Sequence, residues 1–464
     1  MVQVANGVTV VIGLGISGQA ICRHLARQGT FFMVADTRAE PPGLLAFQNE
    51  NPGVEVYCGP LTALDLTNAY EVVLSPGVDP YSPGLEGLLE RHNPVTGESM
   101  LVGEIALFVR AARAPIAAIT GSNAKSTVTT LLGEMAIAAG VKAAVGGNLG
   151  TPALDLLVEC PDAELYILEL SSFQLETTPH LAAKAAAFLN ICEDHLDRHG
   201  DMAGYRRAKQ RIFHGAQSAI VNADDARTWP EAAIDHMERF SAFAPTGNDW
   251  GLAEINGELM LLHGEVAWLN TQRLAIAGRH NYVNALAALA MGNALGFAKM
   301  PMCQALTAFK GLPHRSEVIV RMNGVMWVND SKGTNVGATL AAIQGISATL
   351  KGKIILLAGG VGKGADFTPL ATPLAECAKA ALLFGADAHR LEAALSPSVP
   401  VQLTNDLLQA MEIAWEMAEP GDCVLLSPAC ASLDQFINYQ ARGDAFRYWV
   451  EQKYSQHNHS EARS

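Results

Sequence analysis

Short apolar runs, each closed by Gly, Ser or Asp, recur along this chain with helical stretches between them. Residues 8–12 (VTVVI) run into GLGISG at 13–18, residues 31–35 (FFMVA) end at Asp36, and residues 71–74 (EVVL) are closed by Ser75, Pro76 and Gly77. Near-continuous apolar strands alternating with helices predict a parallel sheet covered on both faces. The pattern then restarts twice. A second series opens at 117–119 and continues at 165–168, 186–190 and 218–221; a third follows the GLP break at 311–313, with strands at 325–328, 354–357, 381–384 and 423–426. A chain of 464 residues is too long for one core. The expectation is an α/β protein of three successive units, 1–103, 104–311 and 312–464.

Composition narrows the class. The formal net charge of −14 argues against nucleic acid as the main partner. A few local lysines and arginines can still receive a small anionic ligand. The eight cysteines form no CxxC pair, which reads as reduced thiols and a cytoplasmic location. No uncharged apolar stretch of about 18–20 residues predicts a membrane span, and the N-terminus enters a strand directly, without the pattern of an export signal. The polar tail from 456 to 464 is expected to fray.

The strand ends carry the chemistry. ITGSNAKST at 119–127 reads as a strand, a tight turn and a helix opened by Lys125 and Ser126. Turn and helix-start N–H groups point at an anion there, Lys125 would reach the outer phosphates of a nucleotide, and Ser126 would hold Mg2+. The full pattern wants glycines where Ile119 and Ala124 stand. A negative φ at Ala124 would leave the loop unstrained, and that is the expectation. GLGISG at 13–18, with Asp36 eighteen residues after Gly18, is a dinucleotide fingerprint in its proper strand–helix setting. From these residues alone, NAD and other nucleotide-bearing ligands stay open. Glu169, at the end of the 165–168 strand, suits a Mg2+ ligand beside such a turn. Residues 190–199 (NICEDHLDRH) crowd Asp194, His195 and His199 into one loop whose spacing fits no zinc pattern. Lys209, in a helical YRRAK segment, reads as a solvated surface residue. NDSKGTN at 329–335, LAGGVGKGAD at 357–366 and LSPACASLDQF at 426–436 all follow strands of the third unit, at the edge where open α/β sheets bind ligands. Lys332 and Lys363 would supply positive charge there. Ser432 and Leu433, read as a helix start, would supply N–H donors for a carboxylate.

TGSNAKST, ELSSFQLE, EDHLDRH, GRHNYVNALAA, GLPHR, NDSKGTN and SPACASLDQF occur in that order. The ordered set, spanning essentially the whole chain, resembles the Mur ligases. No DNPR-type motif is present, which favours the members that add D-glutamate to UDP-N-acetylmuramoyl-L-alanine. The resemblance implies a Rossmann-like first domain for the UDP-substrate, a central P-loop ATPase-type domain and a Rossmann-like C-terminal domain for the amino acid. It implies ATP and two Mg2+ ions, peptidoglycan precursor synthesis in the cytoplasm, and a monomer with small-molecule substrates only. By family position, Ile16, Ser17, Asp36, Thr37, Arg38, Ser75, Pro76 and Gly77 would line the uridine diphosphate. Asn148, Ser171 and His195 would reach the rest of that substrate. Gly121, Ser122, Asn123, Ala124, Lys125, Ser126, Thr127, Asn281, Asn284, Arg315 and Asp330 would hold ATP. Lys332, Thr334, Lys363, Ser432, Leu433 and Tyr439 would surround D-glutamate. Ser126, Glu169, His195 and Lys209 would hold the metals. Lys209 would be carbamylated and count with Lys125 and His195 as catalytic.

Overall fold

The computed structural model describes residues 2–276, 278–348 and 350–461. In the first unit, strands β1 (Thr9–Ile12), β2 (Phe32–Asp36), β3 (Val56–Cys58), β4 (Glu71–Leu74) and β5 (Leu101–Gly103) form a parallel sheet in the order β3-β2-β1-β4-β5. The fingerprint joins β1 to helix α1 (Ile16–Arg27). Gly13 has φ +92°, and a Cβ on Gly18 would stand 1.8 Å from the Gly13 carbonyl oxygen, so only glycine fits at 18.

The second unit begins with α2 (Glu104–Ala111). It then builds β6 (Ile116–Thr120), α3 (Lys125–Ala138), β7 (Ala143–Gly147), α4 (Ala153–Glu159), β8 (Leu165–Glu169), α5 (Ser172–Glu176) and β9 (Ala185–Phe188). α6 (Leu196–His199), α7 (Met202–Gln210), β10 (Ser218–Asn222), β11 (His236–Phe240), β12 (Trp250–Ile255), β13 (Glu258–His263), β14 (Val266–Asn270) and α8 (Arg279–Leu295) follow, and a last helix covers Lys299–Ala308. Its nine strands run β14-β13-β12-β11-β10-β9-β6-β8-β7, with β12, β13 and β14 antiparallel. Those hairpins were not anticipated, although Asn256-Gly257 between β12 and β13 is the left-handed pair a two-residue hairpin requires (φ 53° and 81°).

The third unit contains β15 (Glu317–Met322), β16 (Val325–Asn329), α9 (Val336–Ser347), β17 (Ile354–Gly359), β18 (Ala378–Phe384), β19 (Val401–Leu403), β20 (Cys423–Leu426) and α10 (Tyr439–Glu461). The sheet order is β15-β16-β20-β17-β18-β19. One expectation changes here. Ser432 and Leu433 do not start a helix; they lie in turns, and α10 begins only at Tyr439. The helix is assigned to Glu461, and the last three residues of the tail expected to fray, 462–464, lie outside the described residues.

The first two units share one apolar cluster, from Val11 and Leu14 through Phe108 to Tyr166 and Phe188. Arg23 and Arg27 of α1 pair with Asp155 of α4 at 2.6 and 3.3 Å on the same seam. The third unit meets the second at the strand ends that carry the motifs.

Candidate active site

Strand β6 is buried throughout and delivers the chain to the phosphate turn at Gly121. The turn is pinned from the next strand end. Asn190 accepts from Asn123 N at 2.8 Å and donates back to the Asn123 carbonyl at 3.2 Å, while Cys192 N donates to Ser122 Oγ at 3.0 Å. Sequence reading gave Asn190 and Cys192 no role. The sign that could have found Asn190 is its place at a strand end beside the one carrying the turn.

Ala124, the residue before α3, has φ +65° and ψ −5°. The expectation of a negative φ is therefore overturned: the position needs the left-handed conformation that glycine adopts freely, and here an alanine carries it. Lys125 Nζ folds back onto the turn, donating to the Gly121 and Ser122 carbonyls at 2.9 and 3.2 Å. Burial pushes its pKa down, against the opposing pull of Glu169.

Glu169 ends β8, almost fully buried. Its Oε1 accepts from Asn148 Nδ2 at 2.7 Å, whereas Oε2 is buried with no protein hydrogen-bond partner. Burial alone would raise this carboxyl; the charge of Lys125, helped by the nearby Ser126 hydroxyl, Asn148 and Arg315, brings it below the usual range. An ionised carboxylate with an unused buried oxygen beside a phosphate turn is the donor a Mg2+ ion takes together with nucleotide oxygens. Among the described residues no three His, Cys, Asp or Glu side chains form a self-sufficient metal cluster. The residues present thus fit a cation shared with phosphate.

Lys209 departs most from its sequence reading. It sits on α7 with 1% of its surface exposed. Its Nζ donates to the Gly121 carbonyl at 2.8 Å and lies 4.8 Å from the Tyr205 ring centroid. Desolvation first, and the neighbouring Lys125 charge second, hold its pKa well below the ordinary lysine value. The helical pattern missed this because neighbouring Arg206 and Arg207 make the segment look solvated.

These groups line one cavity of about 270 Å³. Lys125, Ser126, Asn148, Glu169, Ser171, His195 and Lys209 face it from the second unit, and Arg315, Lys332, Thr334 and Lys363 from the third. His195 has φ +55° and stands 3.6 Å from Asp194 Oδ2, with burial lowering its pKa. Across the seam Lys363 Nζ approaches Asp194 Oδ1 at 3.7 Å, and Asn123 Nδ2 reaches Asn335 Oδ1 at 3.4 Å. Asn335, Tyr205 and Phe173 line the cavity too, and sequence reading assigned them nothing.

A second cavity, of about 140 Å³, lies across the turn. Ala124, Thr127, Asn281, Asn284, Arg315, Asp330 and Lys332 line it. Burial raises the Asp330 carboxyl to about 6, and its Oδ2 accepts from Ser427 Oγ at 2.6 Å. Lys332, lowered by burial to about 8, sits 4.3 Å from the centroid of the Tyr439 ring. A third cavity, of about 370 Å³, joins Asp194 and His195 to Thr334, Asn335 and Lys363. Ser432 and Leu433 line none of the three; Ser432 is buried and Leu433 is 70% exposed.

The first-unit residues stand apart from these cavities. Asp36 is buried and already occupied: Oδ2 accepts from Leu14 N at 2.8 Å, and Arg38 N and Nε donate to Oδ1 at 2.9 and 2.8 Å. It therefore braces the glycine turn instead of standing free for a ribose. Ser75 Oγ donates to the Gly13 carbonyl at 2.7 Å and ties the β4 loop to the same turn. Ile16 is exposed; Ser17, Thr37, Arg38, Pro76 and Gly77 lie exposed or half-buried at the same sheet edge.

Three α/β units, the middle one built on a mixed nine-stranded sheet, bring a phosphate turn and a cationic edge together across a seam, a layout that suits a nucleotide-using enzyme. Residues 7–97 match the Mur ligase MurD-like N-terminal domain, 119–292 the Mur ligase middle domain, and 314–430 the Mur ligase glutamate ligase domain. The chain belongs to the Mur ligase family. It is 62% identical to the UDP-N-acetylmuramoylalanine–D-glutamate ligase of Chromohalobacter salexigens, over 97% of this chain and 98% of that one. With the enzyme of the same name from Nitrosococcus oceani it shares 49% identity, over 95% and 96%. Among solved structures, the UDP-N-acetylmuramate-alanine ligase MurC of Thermotoga maritima has the same fold (TM-score 0.57, 18% identity, 96% of this chain and 99% of that one).

Proposed function

We propose that this protein joins D-glutamate to UDP-N-acetylmuramoyl-L-alanine at the expense of ATP, in the cytoplasmic synthesis of peptidoglycan precursor. The observation that carries the reading is the meeting of Lys332 and Lys363 with the phosphate turn across one cavity. A dianionic amino acid needs cations, and a forming acyl phosphate needs the turn; here both face the same space. The 62% identical relative bears the corresponding name.

In this reading the units 1–103, 104–311 and 312–464 take the UDP-substrate, ATP and D-glutamate respectively. Ile16, Ser17, Thr37, Arg38 and the Ser75–Gly77 loop grip the UDP end, with Asp36 bracing them. Asn148, Ser171 and His195 guide the muramoyl-alanine end into the cavity. The L-alanyl carboxylate attacks the γ-phosphate and ADP leaves. Lys125 and the turn N–H groups hold the transferring phosphoryl group in line. The amine of D-glutamate, oriented by Lys332, Thr334 and Lys363, then attacks the acyl phosphate carbon, and phosphate departs. Asn281, Asn284 and Asp330 hold the nucleotide. Ser126 with Glu169, and Glu169 with His195 and carbamylated Lys209, are the residues that would hold two Mg2+ ions, whose charge offsets that of the phosphates. A buried lysine amine kept neutral is the form that reacts with CO2, which supports carbamylation of Lys209.

The test is phosphate release in ATP, Mg2+ and UDP-N-acetylmuramoyl-L-alanine. Release that depends on added D-glutamate is expected. Equal release with L-lysine or diaminopimelate overturns the reading.

A further inference from the structure

We propose that Arg198 is a positioning residue that fixes the loop carrying the UDP end of the substrate against the catalytic cavity; this deepens the ligase reading and rests on it. Arg198 Nη2 donates to the Val78 carbonyl at 3.1 Å and to Glu176 Oε2 at 3.0 Å. Its Nε lies 3.6 Å from Asp79 Oδ1, and its guanidinium sits 4.8 Å from the centroid of the Phe173 ring. Val78 and Asp79 directly follow Ser75, Pro76 and Gly77. Glu176 and Phe173 belong to α5, and Arg198 itself to α6, the four-residue helix entered through His195. One side chain thus ties together the first-unit loop and two second-unit helices flanking the cavity.

The second-unit side of this clamp is rigid. The other oxygen of Glu176, Oε1, lies 3.2 Å from His199 Nδ1, and His199 Nε2 lies 2.9 Å from Ser172 Oγ. That engagement accounts for the second histidine of the 190–199 loop. Arg198 keeps only 11% of its side chain exposed, so it is held in place. The Arg23 and Arg27 pairs with Asp155 also join the two units, but between α1 and α4, touching none of the site loops. Arg198 is a link on the ligand edge. A substrate gripped at its UDP end by the first unit and at its alanyl end by the second is bound and oriented correctly only if those two grips keep their spacing. A misplacement of about 1 Å costs on the order of 100-fold in rate.

The experiment compares Arg198→Met and Arg198→Lys with the wild type in the full chain. Calorimetric binding, KM for each substrate, kcat and thermal melting are measured. Arg198→Met is expected to weaken binding of UDP-N-acetylmuramoyl-L-alanine and raise its KM about ten-fold, with the KM values for ATP and D-glutamate within about two-fold. Arg198→Lys should fall between, because an ammonium keeps the charge but lacks the planar guanidinium that sits over Phe173 and the Nε that faces Asp79. If Arg198→Met does not melt cooperatively, Arg198→Lys carries the test, with a selective weakening of about three-fold expected. Unchanged binding, or a parallel change for all three substrates, overturns the proposal. Calorimetry needs no turnover, so a wild type that binds the UDP-substrate without releasing phosphate fails the ligase reading and leaves the Arg198 test intact.

Discussion

Arg315 of the third unit donates through Nη2 to the hydroxyl of Ser126, in the first turn of α3, at 2.6 Å. It is half-buried and lines both the 140 Å³ and the 270 Å³ cavities. The third unit is thereby closed onto the phosphate turn, with Asp194–Lys363 and Asn123–Asn335 on the same seam.

The closed seam makes Arg315 a test of the ATP site. Arg315→Ala is expected to lower kcat/KM for ATP about 100-fold, the scale of losing one preorganised charged donor. Arg315→Lys should recover little, since a single ammonium does not reproduce a planar fork. Steady-state kinetics with ATP varied decides it; values within about three-fold of wild type would remove Arg315 from the site.

Ala124 carries a left-handed φ of 65°. Ala124→Gly should stabilise the protein by about 1 kcal/mol, the strain released less the greater freedom glycine gains when unfolded. Thermal or urea melting measures it. Turnover should change by no more than about three-fold, because the turn already has the required shape. A destabilised glycine variant would show that the alanine methyl makes a compensating contact.

Lys209 is buried beside the Gly121 carbonyl with its amine driven toward the neutral form. Incubation with labelled bicarbonate should place a carbamate carbonyl signal on the wild type, and Lys209→Arg should lack it. Lys209→Ala should lose at least about 100-fold in kcat and regain part of it with short-chain carboxylates. Absence of the carbamate signal in an active wild type would contradict carbamylation.

Lys332 loses its proton near pH 8, against an ordinary lysine value of 10.5, because burial disfavours its charged form. Below that pH the ammonium is present and can meet a carboxylate of D-glutamate; above it the charge is lost. The kcat/KM for D-glutamate should therefore fall on the alkaline side with an apparent pKa near 8, approaching about ten-fold per pH unit. Deprotonation of the substrate amine pulls the other way, giving a bell whose alkaline limb belongs to Lys332. Lys332→Arg should move that limb upward by more than about one unit. A limb that stays put would assign it to another group.

The central parallel strands and their ligand edges were legible because buried β-runs closed by Gly, Ser and Asp are local signals; the parallel strands β3, β5, β7, β11 and β19, four of them at sheet edges, were not read. β12, β13 and β14 were missed because no helical stretch separates them, so a search for strand–helix alternation passes over the LMLL run at 259–262 and the VAWL run at 266–269; Asn256-Gly257 marked the turn all the same. In the site, Lys125 and Glu169 were legible from their places after strands. Lys209 was not, because its burial is set chiefly by the phosphate turn, a contact remote in sequence, with Tyr205 one helical turn back beside it. Asp36 was read as a ligand-lining residue, and pattern alone does not reveal that Leu14 and Arg38 engage its oxygens.

The central claim is that one cavity makes an acyl phosphate and hands it to D-glutamate alone. The direct test supplies ATP, Mg2+ and UDP-N-acetylmuramoyl-L-alanine with an equimolar mixture of D-glutamate, L-glutamate, L-lysine and diaminopimelate, and identifies the amide product by mass and by chirality of the released amino acid. The account predicts a single product carrying D-glutamate, with one phosphate released per amide formed. A product carrying another amino acid, or phosphate release without amide, would contradict it.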